Sequence, residues 1–209
     1  MLQARFARAA FALAVLLFPA TFLNAALQDP AQDPGHTSLA GQVLIASTGM
    51  RDPRFDHTVI LIARHNNEGA FGLIINRPAA ERSMSELLEA LGDKGAPVNG
   101  TVRLFAGGPV QPELGFVIHS PDYHSGQTLD VDGHVAVTMN REILRDIGIG
   151  KGPQKSMIAF GYAGWAPGQL EGEIARRSWT TVPADGKLIF DEDREKLWDI
   201  VYALRAQDL

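Results

Sequence analysis

The chain has 209 residues, of which 45% are hydrophobic and 21% charged, a length and composition typical of one globular domain. It contains no cysteine, which excludes disulfides, thiolate zinc sites, cysteine nucleophiles and lipid attachment through cysteine. The net charge of −5 argues against a dedicated nucleic-acid-binding protein, because such a protein needs a cationic surface to displace counterions from phosphates.

The first 25 residues have the order of a secretory signal peptide. Arg5 and Arg8 precede an apolar run at 9–18, and a stretch rich in small residues follows. The run is too short for a transmembrane helix, which needs about 20 residues. We therefore predict a signal-like segment at 1–25, a flexible linker at 26–38 and export to the periplasm. A cytoplasmic protein with a misplaced start and an uncleaved membrane anchor are the alternatives.

The remaining residues, 39–209, predict a single α+β domain. Strands are expected where β-branched and apolar residues cluster between turn residues, and helices where a capping residue precedes an apolar periodicity. The predicted strands are 42–46, 58–63, 70–75, 102–106, 114–119, 135–138, 156–162, 179–182 and 187–190. The predicted helices begin after Ser83, Asn140 and Asp191, and at Pro167. Early hairpins followed by scattered helices favour α+β over a repeating β-α-β pattern.

A glycine pair and an arginine, each at the end of a predicted strand, are candidates for binding. Gly107 and Gly108 follow a predicted strand. Either the chain makes a tight turn there, or the exposed N–H groups of the two glycines bind an anion. Arg77, beside Asn76, either binds an anion or pairs with an acidic residue such as Asp52. We favour the turn for the glycines and the ion pair for the arginine.

The segment 161–173 joins a predicted strand to a predicted helix and is rich in glycine and aromatic residues. It carries Tyr162, Trp165, Gln169 and Glu171, and Glu171 lies near the helix N-terminus, where the helix dipole favours an acidic side chain. The segment predicts either an aromatic-capped turn or the wall of a pocket lined by carboxylates. His65, after a buried strand, similarly either caps that strand or lines a pocket.

The segment 119–134 carries imidazoles and carboxylates at spacings that zinc-like ions accept. Its members are His119, Asp122, His124, Asp130, Asp132 and His134. A turn-rich loop in which these side chains cap backbone groups is the alternative that we favour. We therefore predict neither a metal nor a cofactor.

Several short motifs together resemble those of the AlgH/YqgE family of bacterial proteins. They are Gly-Met-x-Asp-Pro-x-Phe at 49–55, Asn-Arg-Pro at 76–78, Gly-Gly-Pro-Val at 107–110 and Gly-Tyr-Ala-Gly-Trp at 161–165. The resemblance spans about residues 39–206. It implies a mixed, branched, partly barrel-like β-sheet flanked by helices. It implies no agreed catalytic activity, although one branch carries a transcriptional-regulator label tied to exopolysaccharide control.

The chain departs from the pattern of this family at three places. Ser47 and Thr48 stand where the family usually has Met-Pro, and Ala166 stands where it usually has Gly. The signal-like extension is also atypical, because most members begin close to the first strand and look cytoplasmic.

Three functions are compatible with these observations. We favour a non-enzymatic binding or regulatory module with a protein or small-molecule partner, because the sequence has no nucleophile–base motif. An uncharacterised hydrolase or transferase with His119 or Glu171 as general base is the second hypothesis. Direct transcriptional regulation is the third, and the charge disfavours it, because removing 1–25 lowers the net charge from −5 to −7. The candidate binding residues are His65, Asn76, Arg77, Gly107, Gly108, His119, Tyr162, Trp165, Gln169 and Glu171.

The signal-like segment predicts a specific native N-terminus. We expect mass spectrometry of the protein isolated from its own cells to find Ala26 or Leu27 as the first residue. An intact Met1 in that preparation would contradict cleavage and favour a membrane anchor.

Overall fold

Residues 37–205 are described by a computed structural model, so the predicted segment 1–25 and most of the linker 26–38 lie outside the described residues. The strands are β1 (Gln42–Ala46), β2 (Val59–Asn66), β3 (Gly69–Ile74), β4 (Pro78–Ser83), β5 (Thr101–Ala106), β6 (Val110–His119), β7 (Thr128–Asp130), β8 (Ala136–Thr138), β9 (Ser156–Trp165) and β10 (Trp179–Pro183). The helices are α1 (Met84–Ala90), α2 (Glu142–Gly148), α3 (Gln169–Ala175), α4 (Gly186–Phe190) and α5 (Leu197–Arg205). None of these helices is long and apolar enough to cross a bilayer.

The strand β9 organises the sheet. The strands follow the order β10-β1-β2-β3-β9-β6-β8-β7, in which all neighbours are antiparallel. A branch leaves this order at β9, where β5 pairs in parallel and itself carries β4. The early part of β9 lies between β5 and β6, and its last three residues pair with β3. The predicted α+β fold with a mixed, branched, partly barrel-like sheet is confirmed.

The change of partners along β9 takes place at Gly161. Its φ of +73° lies in the left-handed region that favours glycine. A Cβ atom at Gly161 would lie 2.3 Å from the carbonyl oxygen of Gly108, and one at Gly108 would lie 2.0 Å from the carbonyl carbon of Tyr162. The backbones before β6 and within β9 therefore approach more closely than any side chain permits.

The curled sheet buries apolar side chains in three clusters. The first covers one face and includes Phe71, Phe116 and Tyr162 together with Ile189 of α4 and Val201 of α5. The second packs α3 and the loop after β1 against the other side of β1, β2 and β3. The third packs α1 and α2 against β5, β6 and β9. Sheet curvature thus gives each group of helices its own apolar surface.

Most predicted elements form near their expected positions. The helix expected after Ser83 begins at Met84, and Ser83 and Glu86 form the capping box that the sequence predicts. Asn140 accepts a hydrogen bond from the N–H of Glu142, where α2 begins. The α3 helix begins two residues after Pro167.

The predicted strand at 187–190 is wrong, because these residues form the helix α4. The side chain of Asp185 accepts a hydrogen bond from the N–H of Leu188 and caps this helix (2.8 Å). Asp191 does not cap the last helix, which begins at Leu197. Its carboxylate instead pairs with Lys155. The three-residue apolar run 188–190 suits a strand or a helix turn equally, and the cap decides between them.

The sequence pattern predicts neither β4 nor β7. The six residues of β4 are mostly exposed and show no apolar alternation, so only their pairing with β5 makes them a strand. Two backbone groups of β4 are occupied by side chains. The carbonyl of Glu81 accepts from Arg82, and the N–H of Ser83 donates to Glu86. Such contacts protect an edge strand from pairing with other chains.

The contact at Gly161 predicts a stability difference between two glycine substitutions. Gly150 has the same φ of +73°, but a Cβ atom there meets nothing within 4 Å. We expect Gly150→Ala to lower the free energy of unfolding by about 1 kcal/mol, from backbone conformation alone. We expect Gly161→Ala to lower it by about 3 kcal/mol, because its methyl group also overlaps the Gly108 carbonyl. Urea denaturation measures both values, and equal losses would contradict the close approach.

Candidate functional site

The candidate residues do not meet in one pocket. They lie in separate networks, one at the junction of β2 and α3, one at the turn before β4, one along β9 and one at the end of β6. Most of them contact backbone groups or fill the core.

His65 fixes the start of the described chain to the sheet and to α3. The ring nitrogen Nδ1 accepts from the N–H of Leu39 (3.1 Å), and Nε2 lies 2.9 Å from Oε1 of Glu171. Because Nδ1 is an acceptor, Nε2 carries the proton and donates to the carboxylate. Both ring nitrogens therefore hold structural bonds, and this arrangement does not offer His65 as a general base.

A buried carboxylate joins Trp165 to the following helix. Glu173 is 7% exposed, and its Oε2 accepts from the indole N–H of Trp165 (3.0 Å) and of Trp179 (2.8 Å). Its Oε1 accepts from the side-chain amide of Gln169 (3.0 Å). Three N–H donors thereby replace the water that a buried carboxylate loses. Trp165 is itself 3% exposed, and these contacts are those expected of an aromatic-capped turn.

Arg77 holds the loop after β1 through its carbonyl groups. Its Nη1 donates to the carbonyl of Arg54 (2.6 Å) and its Nη2 to that of Asp56 (2.9 Å). The ion pair expected between Arg77 and Asp52 is wrong, because Asp52 pairs with Arg54 two residues away (2.6 Å). Partial burial lowers the pKa of Arg77.

The side chain of Asn76 and the N–H of Gly107 are hydrogen-bonded to the backbone of other residues. Asn76 accepts from the N–H of Val59 (2.8 Å) and donates to the carbonyl of His57 (2.9 Å). The N–H of Gly107 donates to the carbonyl of Phe160 (2.7 Å) and is not available to an anion. The glycine pair thus serves the close approach of two strands.

Tyr162 lies in the first apolar cluster. Its ring centroid is 5.2 Å from that of Phe71 and 6.1 Å from that of Phe116. Burial raises the pKa of its phenol, so the hydroxyl stays protonated at neutral pH. Its contacts are those of a core residue.

His119 is fully buried at the end of β6. Its Nδ1 lies 2.8 Å from the carbonyl of Ser120 and therefore donates to it, so Nε2 accepts from Oγ1 of Thr138 (2.9 Å). Oγ1 of Thr138 also lies 2.6 Å from Oγ1 of Thr128. Burial lowers the pKa of His119, which makes it a weak base out of reach of a substrate.

The aspartates near His119 accept hydrogen bonds from backbone N–H groups, across to a distant segment at Asp122 and within local turns at Asp130 and Asp132. Asp122 accepts from the N–H of Gln154 (3.0 Å), and Asp130 accepts from that of Gly133 (2.8 Å). Asp132 accepts from the N–H groups two and three residues ahead (2.9 and 3.2 Å). Across residues 37–205, no three histidine or acidic side chains are grouped as metal ligands. The contacts are those of the turn-rich loop.

A groove of about 610 Å³ lies between β4, β5 and α1, where the sequence predicted no site. Its apolar lining comes from Leu87, Ala90 and Leu104, and its polar lining from Glu81, Arg82, Ser83, Glu86 and Thr101. None of the ten candidate residues lines it. The capping box at the start of α1 was the one sequence signal near it, and the unpredicted strand β4 forms one wall.

The charged lining of the groove has an excess of one negative charge. The carboxylate of Glu81 makes no hydrogen bond or ion pair with the residues that the structure describes. Glu86 accepts from the N–H of Ser83 through one oxygen (3.3 Å). Arg82 donates to the backbone carbonyl of Glu81 (2.8 Å). The groove therefore presents an apolar lining beside two carboxylates and one guanidinium.

A family model described as DUF179, AlgH-like, matches residues 43–209. Among relatives, a UPF0301 protein of Cereibacter sphaeroides ATCC 17029 is 42% identical over 161 residues, covering 77% of this chain and 88% of the relative. A UPF0301 protein of Methylococcus capsulatus is 40% identical over 173 residues, and the match covers 83% of this chain and 94% of the relative.

Two solved structures share the fold. The solution structure of the AlgH protein from Pseudomonas aeruginosa has a TM-score of 0.69 and 36% identity, and the match covers 85% of this chain and 93% of that one. A crystal structure of a protein from Corynebacterium diphtheriae has a TM-score of 0.62 at 20% identity, with coverage of 82% and 88%. The second likeness concerns the fold alone.

The burial of His119 predicts a loss of stability at acidic pH. Because burial lowers its pKa in the folded state, the unfolded state binds the proton first as the pH falls through the ordinary value of 6.5. We expect the contribution of His119 to be fully present above this pH and to decrease below it. Urea denaturation at stepped pH should show His119→Asn losing less stability across this window than the unsubstituted protein. Equal losses would contradict the prediction.

Proposed function

The chain belongs to the AlgH-like family, and from this starting point we propose that it is a non-enzymatic binding module whose binding surface is the groove between β4, β5 and α1. The groove is the observation that supports this proposal most directly. Its volume of about 610 Å³ suits a small ligand or a few side chains of a partner protein.

The candidate acid–base residues are buried or already hydrogen-bonded to other residues of the protein, which supports a binding function over catalysis. A general base needs a nitrogen or oxygen that can reach the substrate proton. His65 uses both ring nitrogens, and His119 is buried with a lowered pKa. Glu171 already accepts from His65. These contacts weaken the hypothesis of a hydrolase or transferase that acts through His119 or Glu171.

The lining of the groove favours a peptide segment with an apolar side chain beside a lysine or arginine. Ala90 and Leu104 offer apolar surface, and the carboxylate of Glu81 offers a partner for a cation. A long basic side chain can lay its methylene groups on apolar surface while its charge reaches a carboxylate. DNA phosphates are negatively charged, as is the net charge of the groove, so the groove does not favour direct contact with DNA.

A titration with two short peptides tests this proposal. The isotope-labelled protein is titrated with acetyl-Lys-Leu-Lys-amide and separately with acetyl-Glu-Leu-Glu-amide, and the backbone amide resonances are followed by NMR. We expect the basic peptide to shift resonances of β4, β5 and α1, and the acidic peptide to shift them much less. Equal shifts from both peptides, or shifts confined to other elements, would contradict the proposed surface.

A charge reversal in the groove has a matched control on another strand. Glu81→Lys should weaken binding of the basic peptide about tenfold, the loss expected when about 1.4 kcal/mol of attraction is removed. Glu113→Lys makes the same charge change at an exposed position of β6 outside the groove and should leave binding unchanged. If both substitutions weaken binding equally, net charge and not the groove determines it.

A further inference from the structure

We propose that Asn99 is a site of spontaneous deamidation in the folded protein. It lies with Gly100 between α1 and β5, and both residues are exposed. This proposal is independent of what binds in the groove, because it depends only on the conformation of this loop.

The side chain of Asn99 is freer than that of any other asparagine in the described part of the chain. Asn76 makes two side-chain hydrogen bonds, and the Oδ1 atoms of Asn140 and Asn66 each accept from a backbone N–H. Asn67 also has an interaction partner. The amide of Asn99 makes no hydrogen bond with residues 37–205 and can therefore rotate toward its own backbone.

Gly100 provides the attacking nitrogen. Its N–H makes no backbone hydrogen bond with the described residues, whereas its carbonyl accepts from the N–H of Met84 (2.9 Å). A Cβ atom at Gly100 would meet nothing within 4 Å, so the space around the peptide is open. Asn99 is also the one asparagine among residues 37–205 that precedes a glycine.

The reaction needs only water and a base from solvent. The deprotonated backbone nitrogen of Gly100 attacks Cγ of Asn99, forming an N–Cγ bond and a five-membered succinimide ring. The Cγ–Nδ2 bond breaks, and the nitrogen leaves as ammonia after taking a proton from water. Water then opens the ring. Cleavage of the N–Cγ bond gives aspartate, and cleavage of the other C–N bond gives isoaspartate.

Both products change the surroundings of the groove. The loop is held on one side by Val98, whose backbone N–H and carbonyl both bond to Oγ of Ser85 (2.8 and 2.7 Å). It is held on the other side by the bond between Met84 and Gly100. An isoaspartate inserts a methylene group into the main chain between these anchors, and either product adds a negative charge beside Thr101 of the groove.

Peptide mapping of the full folded chain tests the proposal. The protein is incubated at neutral and at mildly alkaline pH, and amide loss at each asparagine is measured by mass spectrometry. We expect amide loss at Asn99 with an isoaspartate product, faster at the higher pH, while Asn76 and Asn140 keep their amides. Retention of the Asn99 amide for as long as that of Asn76 would overturn the proposal.

Two substitutions separate the chemistry from effects on folding. Gly100→Ala should slow amide loss at Asn99, because the methyl group hinders attack by the nitrogen. Asn99→Gln should abolish modification at this position, since its longer side chain does not close a five-membered ring, and it leaves Gly100 in place. Circular dichroism checks that each variant is folded. Unchanged amide loss in folded Gly100→Ala, or amide loss in folded Asn99→Gln as fast as in the unsubstituted protein, would contradict the mechanism.

Discussion

The close approach of two backbones at Gly108 and Gly161 is the constraint on which the rest of the fold depends. It lets β9 pair with β5 and β6 along one part of its length and with β3 along the other. The sheet can then curl while it remains continuous, and each of its faces obtains a separate set of covering helices. A side chain at either glycine would push the strands apart and disturb all three apolar clusters.

The polar residues that look most functional in the sequence mainly stabilise this architecture. Arg77 and Asn76 bond to the backbone of the loop before β2, and Glu173 binds two indole groups inside the core. Such residues are unusual because burying a polar group requires a partner for each donor and acceptor. A distinctive motif therefore identifies the family, while the groove proposed for binding is lined by residues of ordinary type.

The sequence predicts the elements whose cause is local. The sequence predicts the strand β2 from its apolar run and the start of α1 from its capping box, because each depends on neighbouring residues. The pattern does not predict β4, because only its pairing with β5 forms this strand, and for the same reason it does not indicate the groove. The pattern predicts a strand where α4 lies, because the apolar residues of this segment are too few to show a helical period. The local sequence pattern does not indicate which distant segments will contact each other.

The last helix also affects the order in which the protein can be completed during synthesis. Trp198 donates to the carbonyl of Ala46 in the first strand (2.9 Å), and Leu197 and Val201 belong to the largest apolar cluster. Because Trp198 follows Ala46 by 152 residues, the first strand gains this hydrogen bond and this apolar cover only after most of the described chain has been synthesised.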